Sequence, residues 1–523
     1  MIVSKLIGYI VLQFLIVFTS RYIVRYKMPY AITIDTYFHL AYAKWLNKKN
    51  PGKNKFKEII LNHENTYPYL YHKLLSFFKN KLLLIERISS PFLDALNSCL
   101  VIFLTLSLNS DYLNLNTAFL AGLTYAFTPA LFSLGWGPRA FNGTARILGQ
   151  TIYLAQWILL INYVQSNEIY YLILALIFAS LLFITSKFAV QAYLFLGIGV
   201  IIYDYRYIFF LITSFLLGII LTKGTSYMVL LGQVKHSKFY KIINKKFRWE
   251  KANANTKLIT YLRKFRYHFQ NLFKKEIRFN AFFSWFFIYE RFFIHSVVVN
   301  FPILFVLIFY FDFTSVTNFN LLLMALVLNG IFLFFIINIP LFKFLGEAER
   351  YLEFILPFIV ILAVIYVPTY ILIIYVLMGI ALLTIVYNDY FTRNRFLEEQ
   401  FKETNYLFEE VQKESPSVIW PIGYSHWISL YQLVNSKWKI LTFGVNLDKE
   451  LIPLDEYKLI YENYIFPSIH YGKIINDYNV EYIVGSKEEL NQYFFKICKL
   501  EKIPKQFKIH LESELFILYK VIK

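Results

Sequence analysis

Residues 6–18, LIGYIVLQFLIVF, are followed at residues 31–46 by AITIDTYFHLAYAKWL. The first stretch is apolar enough for a helix inside a membrane. The second places Asp35 and His39 among aromatic side chains just beyond the end of that helix. Because the imidazole lies four positions after the acid, a helix would present both on one face. The same spacing also fits a helix that Asp35 merely caps, with His39 as an incidental interfacial residue.

Apolar runs of similar length recur as far as about residue 390. Of the 523 residues, 57% are hydrophobic and 17% are charged, too few charges for the surface of a soluble protein of this size. Since backbone groups inside a bilayer must bond within their own segment, each run is expected to be a helix. We therefore predict a polytopic α-helical membrane protein with about 11 transmembrane helices, Ser296–Tyr310 among them.

The net charge of the chain indicates which kinds of partner it can be expected to bind. A formal net charge of +19 indicates contact with membrane lipids that have anionic headgroups, or with ligands that carry phosphate. No basic stretch belongs to a recognisable nucleic-acid module, so no nucleic acid is expected as a partner. The two cysteines, Cys99 and Cys498, are too few and too far apart in sequence for a disulfide framework or a zinc site.

The connecting segments predict the domain organisation. Residues 1–390 form the transmembrane domain, with a first large loop at 25–90 and a long basic loop at 223–295, expected to form amphipathic helices on anionic lipid. Residues 391–523 read as a soluble α/β domain. Helix alternation puts these large segments on one side of the membrane. Charge alone does not determine which side of the membrane this is, because long translocated loops are not subject to the positive-inside rule.

The tail has a repeated strand–turn–helix pattern. Residues 417–423 (SVIWPIG), 437–444 (KWKILTFG) and 479–486 (NVEYIVGS) read as strands, and residues 506–522 as a closing hairpin. Ser486 stands at a helix N-cap position, and the glycine spacing of a dinucleotide-binding loop is absent.

Two segments carry further candidate residues. Glu64, Tyr67 and His72 lie in NHENTYPYLYHKLLSFF, residues 62–78, whose alternative interpretation is an amphipathic helix on the membrane surface. Arg139 and Arg146 lie in a Gly/Pro-rich turn at residues 135–150. Guanidinium groups suit phosphate, although snorkelling to headgroups explains either arginine alone equally well.

Charges also occur where two later helices begin. Lys187 separates two apolar runs, and the segment GEAERYLEF, residues 346–354, holds several more. Its charged residues are Glu347, Glu349, Arg350 and Glu353. A charge at the centre of a membrane helix costs roughly 2.5–3.5 kcal/mol, so such groups must be paired, hydrated or lining a cavity. One ion pair would explain Arg350 and one glutamate but not three acids. Acids beside cations at a membrane surface suit a reaction in which a phosphate leaves.

These motifs, in this order, resemble the GT-C superfamily of membrane glycosyltransferases. IDTYFHLAYAKWL is similar to the Asp-x-Tyr-x-His stretch of archaeal oligosaccharyltransferase subunits. TYPYLYHKLL resembles a Tyr-Pro-Pro-Leu-x-His segment, with Tyr69 in place of the second proline. GEAERYLEFILPF resembles the Gly-Glu-x-x-Arg-Tyr element before a late helix.

The resemblance implies an inverting glycosyltransferase that is an integral protein of the plasma or inner membrane. Its active face and C-terminal domain would lie outside the cytoplasm. It would use a lipid-phosphate-linked sugar donor of the polyprenyl or dolichyl type and a hydroxyl-bearing glycan, lipid or protein acceptor. By motif match, Asp35 is the catalytic acid/base or a metal-associated residue, His39 its partner, and Arg350 the phosphate contact with help from Glu347. Topology adds Lys187, Arg139 and Arg146 as further phosphate-binding residues.

Several alternatives remain open. The metal is undetermined, and Asp35, Glu347 and Glu349 could hold Mg²⁺ or Mn²⁺. The tail lacks the Trp-Trp-Asp-type acceptor motif of oligosaccharyltransferases, which disfavours asparagine glycosylation. A polysaccharide polymerase or ligase acting on lipid-diphosphate-linked chains would need the arginines but not Asp35. A flippase or transporter for lipid-linked sugars is disfavoured, since charges gather at one membrane face without a visible repeat.

Overall fold

The structure is a computed structural model, and it describes most of the chain. The described residues are 2–27, 34–46, 57–61, 66–108, 113–132, 143–246, 257–274, 282–283, 285–290, 292–312, 314, 318–393, 395–423, 425–443 and 471–522. They form two compact units. Unit 1 consists of residues 1–27, 87–226 and 244–393, and unit 2 of residues 28–86, 227–243 and 394–523.

The helices of the first half, in chain order, are α1 Ile2–Lys27, α2 Ile34–Leu46, α3 Leu70–Ser76, α4 Leu82–Ser107, α5 Leu115–Ala126, α6 Ala145–Ser166, α7 Ile169–Leu182, α8 Lys187–Tyr203, α9 Tyr207–Leu221, α10 Thr225–Lys246 and α11 Leu258–Phe273. Those that follow are α12 Phe293–Asn300, α13 Pro302–Tyr310, α14 Asn318–Asn338, α15 Glu349–Tyr366, α16 Thr369–Arg393, α17 Arg395–Val411, α18 Ser425–Leu433, α19 Tyr471–Tyr478 and α20 Lys487–Asn491. The strands are β1 Ile59–Leu61, β2 Val418–Pro421, β3 Lys439–Phe443, β4 Tyr482–Ser486, β5 Phe507–Glu512 and β6 Phe516–Val521.

The membrane-protein class is confirmed. Among the described residues, 5 helices are long and apolar enough to cross a membrane, and up to 7 spans result if each of two bent helix pairs counts as one. The predicted number of about 11 stays a prediction, because helices such as α7 and α8 are apolar but short.

One predicted span is wrong as a single helix. Ser296–Tyr310 falls on α12 and α13, which meet at an angle of 73°. The break lies at Pro302, the first residue of α13. Proline has no N–H to donate and its ring crowds the preceding turn, which favours a new helix beginning at Pro302 with a bend before it.

A buried ion pair joins two helices of unit 1. The Nε atom of Arg21 in α1 lies 2.8 Å from Oδ2 of Asp94 in α4, and both side chains are almost inaccessible to solvent. Arg21 also donates a hydrogen bond to the main-chain oxygen of Ala126 at the end of α5. These contacts give buried polar groups of three helices a partner, as an apolar surrounding requires.

Unit 2 contains a six-stranded sheet in the order β1-β3-β2-β4-β6-β5. The strands β1, β3, β2 and β4 are parallel neighbours, and β6 pairs antiparallel with both β4 and β5. The strands predicted in the tail are confirmed. Ser486 also caps α20 as predicted, because its side chain accepts from the backbone N–H of Glu489.

Two elements from the first loop complete this sheet and its core. β1 pairs with β3 in a register that aligns Ile59 with Ile440. Trp45 of α2 is buried in one apolar cluster with residues of the tail, among them Leu430 and Phe408. A separate tail domain starting at residue 391 stays a prediction, since unit 2 also includes residues 28–86 and 227–243.

The long basic loop contributes an amphipathic helix to unit 1. Tyr261 of α11 stacks on Phe292, and His268 stacks on Trp285. A neighbouring stripe of α11 exposes apolar side chains, namely Leu258, Leu262, Phe269 and Phe273. Placement of this helix on anionic lipid remains a prediction.

Candidate functional site

A cluster of arginines and glutamates lies within unit 1, where three helices begin. Arg146 stands in the first turn of α6, Lys187 is the first residue of α8, and Arg350 lies in the first turn of α15. We call Arg146, Glu347, Arg350 and Glu353 the arginine–glutamate cluster.

Glu353 is the centre of this cluster. Its Oε2 atom lies 3.1 Å from Nε of Arg146 and 3.7 Å from Nη1 of Arg350. All three side chains are buried. The main-chain oxygen of Glu353 accepts a hydrogen bond of 2.8 Å from Nε2 of Gln150, which ties α15 to α6. A single buried carboxylate therefore faces two guanidinium groups.

The periphery of the cluster is more accessible. Glu347 forms an ion pair with Arg350, and its side chain is 58% exposed. The same carboxylate interacts electrostatically with Lys187. Arg350 also lies over the ring of Phe188, with its Cζ atom 5.6 Å from the ring centroid. Burial lowers the pKa of Lys343, in the turn before α15, and the charge of Glu349 opposes that shift.

Local sequence explains how the turn before α15 forms. Gly346 has a φ of +118°, a conformation that side chains rarely adopt. An added Cβ there would lie 3.0 Å from the ring of Phe188. Gly346 thus lets the chain turn closely past α8 before Glu347 and Arg350.

A second group of candidate residues lies within unit 2. Nδ1 of His39, in α2, is 2.8 Å from Nε2 of His72, in α3, and both imidazoles are buried. Tyr42 donates a hydrogen bond to the main-chain oxygen of Tyr67. Burial and the neighbouring His39 hold the pKa of His72 well below its usual value. We call His39 and His72 the histidine pair; the low pKa keeps His72 neutral near pH 7.

Not every predicted residue can be placed. Asp35 lies in the first turn of α2, four residues before His39, but its side chain is outside the described part of the structure. Arg139 and Glu64 lie outside the described residues altogether. The structure gathers Arg146, Lys187, Glu347, Glu349 and Arg350 in unit 1, and His39, Tyr67 and His72 in unit 2.

Sequence reasoning gave Glu353 no role of its own. Its spacing of three residues from Arg350 on one helix was the available signal, because such residues are neighbours on a helix surface. Nothing in the sequence indicated the contact between Glu353 and Arg146, because the two residues are far apart in sequence and meet only through the packing of α6 and α15.

The assignment of Asp35, Glu347 and Glu349 to a metal stays a prediction, because the side chain of Asp35 lies outside the described part of the structure. No group of three or more histidine, cysteine, aspartate or glutamate side chains there could hold a metal ion. Glu347 is instead paired with Arg350.

Comparisons with known proteins show similarity in structure. No protein-family model matches the sequence, and no curated protein matches it. The oligosaccharyltransferase of Archaeoglobus fulgidus, in complex with Zn and sulfate, matches with a TM-score of 0.51 and 12% identity over 94% of this chain and 69% of that chain. ArnT from Cupriavidus metallidurans, in the apo state, matches with a TM-score of 0.49 and 10% identity over 98% of both chains.

Both neighbours are GT-C glycosyltransferases. The oligosaccharyltransferase, with the higher TM-score of these two, shows the fold of this chain and, at its low identity, nothing finer. The apolar helices agree with that fold. The chain is an integral, multi-pass membrane protein whose fold is similar to that of this oligosaccharyltransferase.

Proposed function

We propose that this protein is a membrane glycosyltransferase that moves a sugar from a lipid-phosphate donor to a hydroxyl group of a glycan, lipid or protein. The similarity in fold to an oligosaccharyltransferase supports glycosyl transfer as the class of reaction. The donor is proposed to be a polyprenyl or dolichyl phosphate sugar, and the active face is proposed to lie outside the cytoplasm.

One observation carries the proposal: two buried guanidinium groups share a single carboxylate at the start of two helices. Arginine forks bind phosphate oxygens, and in a water-poor environment their charge stabilises a leaving phosphate strongly. In this assignment Arg146, Arg350 and Lys187 bind the phosphate of the donor, and Glu347 orients Arg350. Arg139 remains assigned to the same role by its position in the sequence.

The reaction is a single displacement. Asp35 accepts the proton of the acceptor hydroxyl, whose oxygen bonds to the anomeric carbon as the bond from that carbon to the phosphate oxygen breaks. The bonding electrons leave with the phosphate, where the cations stabilise the developing charge. Attack opposite the leaving group inverts the anomeric centre. His39 positions the carboxylate of Asp35. Glu64, Tyr67 and His72 are proposed to contact the acceptor or to shape the first large loop.

Asp35→Asn tests the catalytic role. Membranes containing the variant are incubated with a panel of polyprenyl-phosphate hexoses that carry tritium in the sugar, and label transferred to acceptor is counted. We expect the wild type to transfer label from a member of the panel and Asp35→Asn to lose at least about 100-fold, the scale of general-base catalysis.

Asp204→Asn is the matched control. Asp204 pairs with Arg206 in an exposed turn between two helices, so its removal should leave transfer unchanged. Equal amounts of inserted protein are confirmed by blotting of carbonate-washed membranes. Full activity of Asp35→Asn would discard the catalytic role of Asp35, and a wild type that transfers no label from any member of the panel would discard this function.

A further inference from the structure

We propose that Gln191 binds a hydroxyl group of the donor sugar and thereby contributes to the choice of sugar. This inference rests on the proposed function, because it places the sugar beside a donor phosphate that is bound at the arginine–glutamate cluster. It adds a residue of α8 that belongs to none of the sequence motifs and to none of the ion pairs.

The amide of Gln191 is buried and has an unused acceptor. The side chain is 8% exposed, and among the residues that the structure describes its Oε1 atom has no hydrogen-bond partner. A buried carbonyl oxygen without a partner is unfavourable. A ligand group that donates a hydrogen bond to this oxygen would therefore bind favourably.

The start of α8 and the turn before α15 locate this amide. Gln191 lies four positions after Lys187, so both residues are on one face of α8. A Cβ added to Gly346 would lie 3.8 Å from Oε1 of Gln191 and 3.0 Å from the ring of Phe188. The guanidinium group of Arg350 lies over the same ring. The amide oxygen is therefore beside the arginine–glutamate cluster.

Access distinguishes Gln191 from other buried glutamines of unit 1. The side chains of Gln13 and Gln156 are completely inaccessible to solvent. Around Gln191, in contrast, Lys187 and Phe188 are partly exposed. A ligand that reaches the arginine–glutamate cluster can therefore also reach this amide.

The buried atom without a partner is an acceptor, and this indicates the chemistry of the ligand. An ionised phosphate offers acceptor oxygens, to which the arginines are suited and Oε1 is not. A sugar hydroxyl can donate to Oε1, and it can also accept from the Nε2 atom of the same amide. Because the sugar of the donor is joined directly to the phosphate, a phosphate at Arg350 brings the sugar hydroxyls next to the cluster.

The test measures binding to the full chain, purified in detergent, by the rise of its unfolding temperature. The probes are farnesyl phosphate, farnesyl phosphate linked to mannose, glucose or galactose, and forms of these hexose probes that each lack one hydroxyl. No acceptor is present, so only hydroxyls of the donor can contribute. We expect the wild type to bind a hexose probe more tightly than farnesyl phosphate, and to lose about tenfold in affinity when one particular hydroxyl is absent.

Gln191→Met removes the amide while conserving the length of the side chain. Its apparent Kd for the best hexose probe should rise about tenfold, and its Kd for farnesyl phosphate should stay unchanged. Loss of the particular hydroxyl should then have no further effect, because both changes delete the same contact. If Gln191→Met does not fold, Gln191→Asn, which withdraws the amide by one methylene group, takes its place with the same expectations.

The matched control is Gln156→Met. Gln156 is a buried glutamine of α6, and it lies ten positions after Arg146, which is about 15 Å further along the helix. Whatever its effect on the Tm of the unliganded protein, this variant should bind every probe as the wild type does.

Three results would overturn the inference while leaving a donor phosphate site in place. These are a Gln191→Met protein that still discriminates against the deoxy probe as the wild type does, an equal loss of affinity for farnesyl phosphate in that variant, and a wild type that binds no hexose probe more tightly than farnesyl phosphate. A wild type that binds neither farnesyl phosphate nor any hexose probe would contradict the proposed function itself, and the inference with it.

Discussion

The histidine pair shows how one contact links two elements of unit 2. His39 and His72 meet at 2.8 Å, so one ring nitrogen donates and the other accepts. That arrangement requires at least one neutral ring, which agrees with the depressed pKa of His72. Pair formation therefore couples the tautomers of the two rings, and it joins α3 to the helix that also contains Asp35.

His72→Gln should reduce the pH dependence of stability. The usual pKa of histidine is 6.5, and burial with His39 depresses that of His72 in the folded protein. Below pH 6.5 the unfolded chain binds a proton that the folded chain does not. The stability due to neutral His72 is thus complete above pH 6.5 and is lost as the pH falls towards the folded pKa, with a slope of up to about 1.4 kcal/mol per pH unit.

The measurement is the Tm of the purified protein between pH 7.5 and pH 5. We expect the wild-type Tm to fall across this range and the His72→Gln Tm to fall less steeply. Parallel curves for the two proteins would contradict the assignment of a buried neutral imidazole.

At the scale of elements, α16 packs closely against the end of α5. A Cβ added to Gly379 in α16 would lie 2.2 Å from the main-chain oxygen of Phe127. A main-chain atom cannot turn aside as a side chain can. Gly379→Ala should therefore destabilise unit 1 by about 1–3 kcal/mol, the usual cost of overpacking.

Gly8→Ala is the control for this substitution. Gly8 lies in α1, and an added Cβ there would meet nothing within 4 Å. Alanine should stabilise this helix by about 0.5–1 kcal/mol. Thermal unfolding of both variants in detergent checks the contrast, and a Gly379→Ala protein as stable as Gly8→Ala would refute the close approach.

The elements that sequence predicted well are those whose signals are local. Ser486 and Glu489 form a reciprocal cap within three residues, and β4 ends at Ser486. β1 could not be predicted in the same way. It has three residues, and what makes it a strand is its pairing with a partner near Ile440, far along the chain.

The same distinction holds for the candidate site. Arg350 and Glu347 could be grouped from one short motif, because a turn of helix brings them together. Arg146 joins them only through Glu353, across two packed helices. A single sequence carries no record of that packing, so Glu353 could be noticed but not assigned.

At the scale of the whole molecule, the sheet constrains how the chain crosses the membrane. β1 and β3 are neighbours in one sheet, so the first loop and the tail must lie on the same side. The number of crossings between Leu61 and Val418 is then even. The prediction that the large polar segments share one compartment agrees with this requirement, and which compartment it is remains part of the proposal.

The tail should not behave as an independent domain. Residues 391–523 alone lack β1 and α2, whose side chains Ile59, Tyr42 and Trp45 are buried against tail residues. The exposed apolar surface should cause aggregation. We expect the isolated tail to bind a hydrophobic dye strongly and to elute from a sizing column in the void volume. A monomeric tail with cooperative unfolding and little dye binding would contradict this.

The position of β1 also has a consequence for biosynthesis. The ribosome releases β1 long before it releases β3, the strand that receives β1. At about 5–20 residues per second, that delay is roughly 20–80 s. During this delay the first loop must remain soluble, with β1 unpaired, while the helices that follow it enter the bilayer. A chaperone on the side of the membrane that receives the first loop would have to protect β1 for this whole interval, and mutations that slow synthesis between β1 and β3 would lengthen the exposure of β1.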